Sequence, residues 1–270
     1  MPGILLKKFL KKKKNLLNLV GNLLFTRPIQ KLFKMVKKIV FTGGTGRFGE
    51  IFKKIKTKYK IYFPSRKQLD VQNFKSIKKY LNIIKPDFLI HAAALSRPMS
   101  IHEKNISNSI NINIIGTANI VKACEEKKIK LIYFSTNYVY PGKKGNYKET
   151  DPVLPVNKYA VSKLGGECSV QMYSNSLILR ICMTEKPFVH KKAFYDVEMN
   201  FMFHEVLAKN LLKLINKKGI MNVGGNTKTV IKFVKPLNAN IKGISAKKVF
   251  GKKYPLKQSM NTSLFKKLIK

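Results

Sequence analysis

The stretch IVFTGGTGRFGE, residues 39–50, decides how the chain is read. A run of β-branched and aromatic residues ends at Thr42, and Gly43, Gly46 and Gly49 follow at a spacing of three. Such a loop is either a plain turn or a seat for a phosphate group. The second reading needs a strand before the glycines and a helix after them. Gly43 would then permit a tight turn, Gly46 would let a diphosphate approach the backbone, and Gly49 would allow close helix–strand packing. The helix start would add free N–H groups and a partial positive charge.

Downstream the chain supplies that context. KIVFT, KIYFPS, DFLIHAAA, IKLIYFST and SLILRI are short apolar runs, the pattern of strands buried on both faces. Between them, residues 47–57, NFKSIKKYLNIIK, the segment from SININ to ACEEKK and residues 157–172 carry helical spacing. This β-α alternation predicts an α/β fold, a Rossmann-type doubly wound parallel sheet with right-handed crossovers. It predicts a dinucleotide-binding domain over 35–183. The alternation is lost after residue 183, so residues 184–270 are expected to form a small C-terminal substrate lobe.

The 270 residues carry 54 basic and 13 acidic side chains, a net charge of +41, with 44% hydrophobic residues. All but five of the cations are lysines, spread along the whole chain. Nucleic-acid surfaces lean on arginine for bidentate contacts, so the charge reads as compositional drift and no nucleic-acid partner is expected. Three scattered cysteines show neither disulfide nor metal spacing, which fits a reducing cytoplasm and no metal. Residues 1–34 form a basic leader without an acid. It reads as a surface amphipathic helix, as a targeting segment, or as sequence upstream of a start at Met35. No run has the length of a transmembrane helix.

Cofactor choice is expected at the end of the second strand. NAD-preferring sites commonly place an acid there. This chain has Ser65, Arg66 and Lys67, and the Arg66 cation suits a 2′-phosphate, which favours NADP(H) over NAD(H). Asp70, in LDV, is placed to accept from the adenine amino group. In NKYAVSKLGGE, Tyr159 and Lys163 are four apart on one helix face. A cation beside a phenol lowers its pKa from about 10, so Tyr159 could move a proton near neutral pH. Thr136, at the carboxyl end of the fourth strand, could donate to a substrate carbonyl.

Taken in order, the glycine loop, LDV, HAAA, NIIGT, STNYVYPG, YAVSKLGGE and LILR resemble the extended short-chain dehydrogenase/reductase family. Within it the similarity is to sugar-nucleotide enzymes of the dTDP-4-dehydrorhamnose reductase type. The resemblance covers residues 36–183 and continues weakly through GIMNVGG. It implies a catalytic set of Thr136, Tyr159 and Lys163. It implies cofactor contacts from Gly43, Gly46, Arg47, Phe48, Gly49, Arg66, Asp70, Val71, Ala92, Ala93 and Lys163, with Asn113 supporting the active-site helix. It implies NAD(P)-dependent reduction of a keto nucleotide-sugar for surface polysaccharide synthesis, with homodimer formation as an option. The alternatives are an NAD-dependent epimerase or dehydratase and a non-enzymatic cofactor-binding subunit. Asn137 stands where the family commonly has an acid, and the region around TEKPFVHKKAFYDVEMNF matches no family pattern.

Overall fold

The computed structural model describes residues 36–270, so the basic leader lies outside the described residues. Six strands form one sheet: β1 (Lys38–Thr42), β2 (Lys60–Tyr62), β3 (Phe88–His91), β4 (Lys130–Thr136), β5 (Ser176–Ile181) and β6 (Gly219–Val223). Their order is β6-β5-β4-β3-β1-β2 and every pairing is parallel. Six helices flank it: α1 (Arg47–Phe52), α2 (Phe74–Ile84), α3 (Gly116–Glu126), α4 (Lys158–Gln171), α5 (His204–Asn210) and α6 (Ser263–Ile269).

The doubly wound architecture follows from side-chain alternation along buried strands. On β1, Ile39 and Phe41 join one core with Phe48 and Phe52 of α1, Leu207 of α5 and Phe265 of α6. Val40 between them faces the other core, with Ile77 and Leu81 of α2, Ile120 of α3 and Val170 of α4. Side chains at helix starts set the entry points. Asn73 accepts from the Ser76 N–H ahead of α2, and Asn157 accepts from the Ala160 N–H ahead of α4. α2 ends at Lys85, whose φ is 49°, just before Pro86. The long helix expected before β4 forms, but its first turn is π-helical. Short helical turns over Ile101–Lys104 and Ile106–Ser109 lead into a π-helical turn over Ile110–Ile115, and only then does α3 begin.

Strand order reverses at β1: the chain passes first outward to β2 and then inward to β3. That reversal opens a crevice at the carboxyl ends of β1 and β3, where ligands bind in such sheets.

The third core draws on residues from both sides of position 183. Residues after that position return to the sheet as β6, and α5 and α6 cover one of its faces. The lobe is built around this core, which joins Val139, Tyr140 and Tyr147, from before that position, to Val197, Met199, Val230, Val234 and Met260. The core is therefore discontinuous in sequence, and Lys37–Lys270 cluster as one compact unit.

The glycine loop has little slack. A Cβ on Gly49 would lie 2.5 Å from the Gly44 carbonyl oxygen and 2.6 Å from that of Gly43. We therefore expect Gly49→Ala to lower stability by about 1–3 kcal/mol, the cost of overpacking a tight contact. Urea denaturation followed by circular dichroism measures it.

Candidate functional site

A cleft of about 1020 Å³ opens at the carboxyl ends of the strands. On one side of it lies the glycine loop. Gly43 has φ +82°, and a Cβ there would meet the Ala93 nitrogen at 2.7 Å. Gly46 differs: the single atom within 4 Å of its would-be Cβ is the Gly43 oxygen, at 3.2 Å. Gly43 and Gly49 thus hold the loop against its neighbours, while Gly46 keeps an open side. No side chain caps α1, which begins at this loop. Arg47, Phe48 and Ala92 also line the cleft.

Opposite the loop stand Thr136, Tyr159 and Lys163. Thr136 ends β4 and accepts from the Tyr138 N–H at 3.3 Å. Tyr159 and Lys163 share the face of α4 turned to β4. Burial pushes the Tyr159 phenol up to about 12, against the Thr136 hydrogen bond and the Arg97 charge, which lower it. The expectation that Lys163 lowers this pKa is not met. The Lys163 ammonium lies 4.1 Å from the Tyr133 ring centroid. Burial also pushes Lys163 down to about 7, with Glu167 opposing. The cation that lowers the phenol is instead Arg97.

Supporting contacts hold the two sides in register. Asn113, in the π-helical turn, donates to the Leu95 carbonyl at 2.9 Å and to the Ser162 hydroxyl at 2.8 Å, and accepts from the Leu95 N–H at 2.8 Å. It thereby ties the segment after β3 to α4. His91 is fully buried between Thr42 (2.8 Å) and Thr117 (3.2 Å), and burial pushes its pKa down to about 3. It is a neutral core residue beneath the site.

Behind the cleft runs a buried ionic network. Glu167, four residues after Lys163, accepts from Arg180 of β5 at 2.7 and 3.1 Å and from the Ser135 hydroxyl at 2.6 Å. Arg180 also donates to the Tyr140 hydroxyl at 2.7 Å and to the Glu149 carbonyl at 3.1 Å. The Tyr140 hydroxyl donates to Asn222 of β6 at 2.9 Å. The pair is almost wholly removed from solvent, with Arg180 3% and Glu167 0% exposed.

Four expected cofactor residues lie away from the cleft lining. Arg66 is 72% exposed, and its Nε is 3.4 Å from Asp70. Asp70 itself accepts from the Gln72 N–H at 3.0 Å. Val71 packs against Gly116, whose would-be Cβ lies 2.9 Å from it. Ala93 abuts Gly43 beneath the loop. Arg97, Glu185 and His102 are among the residues lining or bordering the site that were not anticipated. Arg97 and Glu185 form an ion pair at 2.6 Å at the cleft mouth. His102 packs its ring 5.2 Å from that of Tyr159 and bonds Ser109 at 2.7 Å. Arg97 carries a usable signal, being a rare arginine among lysines just past a strand end; a lone histidine or glutamate carries none.

Known proteins are similar to this chain in sequence and in fold. The family described as RmlD substrate binding domain matches residues 37–193. The dTDP-4-dehydrorhamnose reductase of Aggregatibacter actinomycetemcomitans is 27% identical over 191 residues, which is 69% of this chain and 60% of that protein. The methionine adenosyltransferase 2 subunit beta of Danio rerio is 26% identical over 161 residues, 56% of this chain and 49% of that one. The chain thus spans about half to three-fifths of these relatives. The crystal structure of a dTDP-4-dehydrorhamnose reductase from Bacillus anthracis, in complex with NADP, superposes with a TM-score of 0.76 at 22% identity and covers 86% of this chain and 91% of its own. Since the family match takes in the glycine loop, Thr136, Tyr159 and Lys163 together, the chain belongs to the RmlD substrate-binding-domain family, with the extended short-chain dehydrogenase/reductase fold.

Proposed function

We propose that this protein is an oxidoreductase that uses NADP(H) in preference to NAD(H) to reduce the keto group of a nucleotide-activated sugar, in the manner of a dTDP-4-dehydrorhamnose reductase, in surface polysaccharide synthesis. The observation that carries the proposal is one cleft shared by the glycine cradle and by Thr136, Tyr159 and Lys163. The residues present fit a dinucleotide: the open side of Gly46 is a space that any side chain would fill, flanked by the Arg47 cation. When bound, the dinucleotide supplies hydride to the keto carbon.

The chain's own groups then act on the keto oxygen. With a pKa of about 12, Tyr159 is a protonated phenol at neutral pH and suits the role of proton donor. Thr136 can hold the developing oxyanion by a hydrogen bond. After proton transfer, Arg97 and Thr136 favour the phenolate, as the groups that lower the Tyr159 pKa. Lys163 is the candidate partner for the nicotinamide ribose. Arg66, free of the cleft on the side of β2, remains the candidate for a 2′-phosphate, with Asp70, Val71 and Ala93 on the adenosine path. Lys191, Lys192, Phe188, Phe194 and Tyr254 line the lobe side and offer cations and rings to a nucleoside diphosphate. Asn137, 3% exposed beside Thr136, weighs against a dehydratase, which needs an acid there. Relatives named as an enzyme subunit support a second reading, a cofactor-binding subunit without turnover. No helix among the described residues is long and apolar enough to cross a membrane.

Incubation with NADPH and a panel of 4-keto sugar nucleotides, followed by absorbance loss, tests the proposal. Consumption of NADPH is expected; saturable NADPH binding without consumption favours the subunit reading. Tyr159→Phe should lower turnover by about 10²–10⁴-fold with cofactor affinity nearly intact, and unchanged turnover removes Tyr159 as the proton donor. In fluorescence titrations Arg66→Ala should weaken NADPH more than NADH; an unaltered ratio removes the NADP preference.

Lys163 yields a stability prediction of definite sign. Its folded pKa of about 7 lies below the 10.5 of an unperturbed lysine. Between those values the unfolded chain binds more protons than the folded one, so this group makes stability rise with pH across that window. Replacing it by an uncharged chain removes the cost of burying a charge. Lys163→Met should therefore raise Tm at pH 7 by about 2–4 °C, the shift that ~1 kcal/mol produces in a chain of this size, while turnover falls. Differential scanning calorimetry measures it.

A further inference from the structure

Three segments meet around one carboxylate at the mouth of the cleft. Arg47 opens α1 directly after the glycine loop, Arg97 comes from the segment after β3, and Glu185 from the segment after β5. Glu185 Oε1 accepts from Arg97 Nη1 at 2.6 Å and from Arg47 Nη1 at 3.2 Å. Its second oxygen, Oε2, is buried and has no partner among the described residues. The glutamate side chain is 12% exposed, against 42% for Arg97 and 59% for Arg47. Water thus screens the anion least of the three. Burial opposes its charge, yet the arginines hold its carboxyl below the usual carboxylate range.

The two arginines are not equivalent. Arg97 makes the shorter bond and is the less exposed. Arg47 makes the longer bond, is mostly solvated, and directly follows Gly46, which keeps an open side. An anion arriving at that loop competes with Glu185 for Arg47 and leaves Arg97 in place. It also meets a fixed negative charge, since Glu185 lines the same cleft as Gly43, Gly46 and Gly49. His204, which also lines the cleft, does not offset that charge, because burial pushes its pKa down.

We propose that Glu185 is a built-in counter-anion for the glycine loop: it holds Arg47 until a dinucleotide diphosphate enters, the Arg47–carboxylate bond is then exchanged for an Arg47–phosphate bond, and the Glu185 charge sets how tightly the dinucleotide is held. This rests on the dinucleotide reading of the cleft. Glu185 is a positioning residue, acting through Arg47 and through its field. A merely structural tie between segments would make its loss weaken binding; a competing anion makes its loss strengthen binding.

Fluorescence titrations of the full chain with NADPH and NADH test this. Glu185→Gln keeps the side-chain shape and removes the charge. At low ionic strength it should lower the Kd of both dinucleotides by about two- to fivefold, the range of a partly exposed charge pair. In about 0.5 M salt the gain should shrink, because the Debye length there falls below about 5 Å. Arg47→Ala should weaken NADPH binding more in the E185Q background than in the parent protein. An unchanged or raised Kd in E185Q overturns the proposal while leaving the dinucleotide reading intact. Absence of saturable binding of either dinucleotide to both proteins overturns both. If E185Q does not fold, Arg47→Ala alone decides: a loss of about fivefold or less fits an arginine already engaged by Glu185, and any larger loss overturns it.

Discussion

The pairing of Glu167 with Arg180, sealed between α4 and the sheet, is the interaction on which the site depends. Two buried charges are costly to remove from water, and either one alone would be far more costly. Their pairing therefore constrains the elements that carry them: α4 cannot slide along β4 and β5 without leaving Arg180 without its carboxylate. Ser135 binds the same carboxylate one residue before Thr136, so the network fixes the height of Tyr159 and Lys163 against the end of β4. Through Tyr140 and Asn222 it extends to β6 and to the lobe. Removing Tyr140 would strip a partner from the Arg180 charge, which cannot reach water, and removing Asn222 would take away the acceptor of the Tyr140 hydroxyl.

A second constraint acts at the other side of the cleft. The close approach of Gly43 to Ala92 and Ala93, and of Gly49 to the loop carbonyls, leaves no room for side chains. The glycine loop is thereby pressed against the carboxyl end of β3. Asn113 binds the next turn of that segment and Ser162 of α4. The two halves of the site thus share one connected backbone, and the π-helical turn carrying Asn113 is the link between them. Such turns are frequent where a helix must present a side chain out of ordinary register.

The charges inside the cleft differ from what the overall composition suggests. A chain of net charge +41 still binds its two cleft-mouth arginines with its own glutamate, and it buries Lys163 where desolvation disfavours the ammonium. The excess of lysine is a property of the solvated surface. The chemistry belongs to a few groups whose charge is set by burial and by single partners. For the same reason Tyr159 is a protonated acid rather than a ready phenolate, which bears on the direction of proton transfer.

The sequence by itself determined the parallel sheet, the glycine loop and the facing trio of Thr136, Tyr159 and Lys163. These rest on local rules: apolar runs make buried strands, glycines permit close approach, and residues four apart share a helix face. What only the tertiary structure decided depends on segments far apart in the chain. It brought residues 202–223 and 263–269 back to the sheet, although their elements are too short to show a period. It turned Lys163 toward Tyr133 and set Arg97 to act on Tyr159, because burial and orientation, not spacing, fix a pKa. It also joined Arg47 to Glu185 across 138 residues; no local pattern encodes such a contact, since an ion pair between two segments exists only once the sheet has placed both.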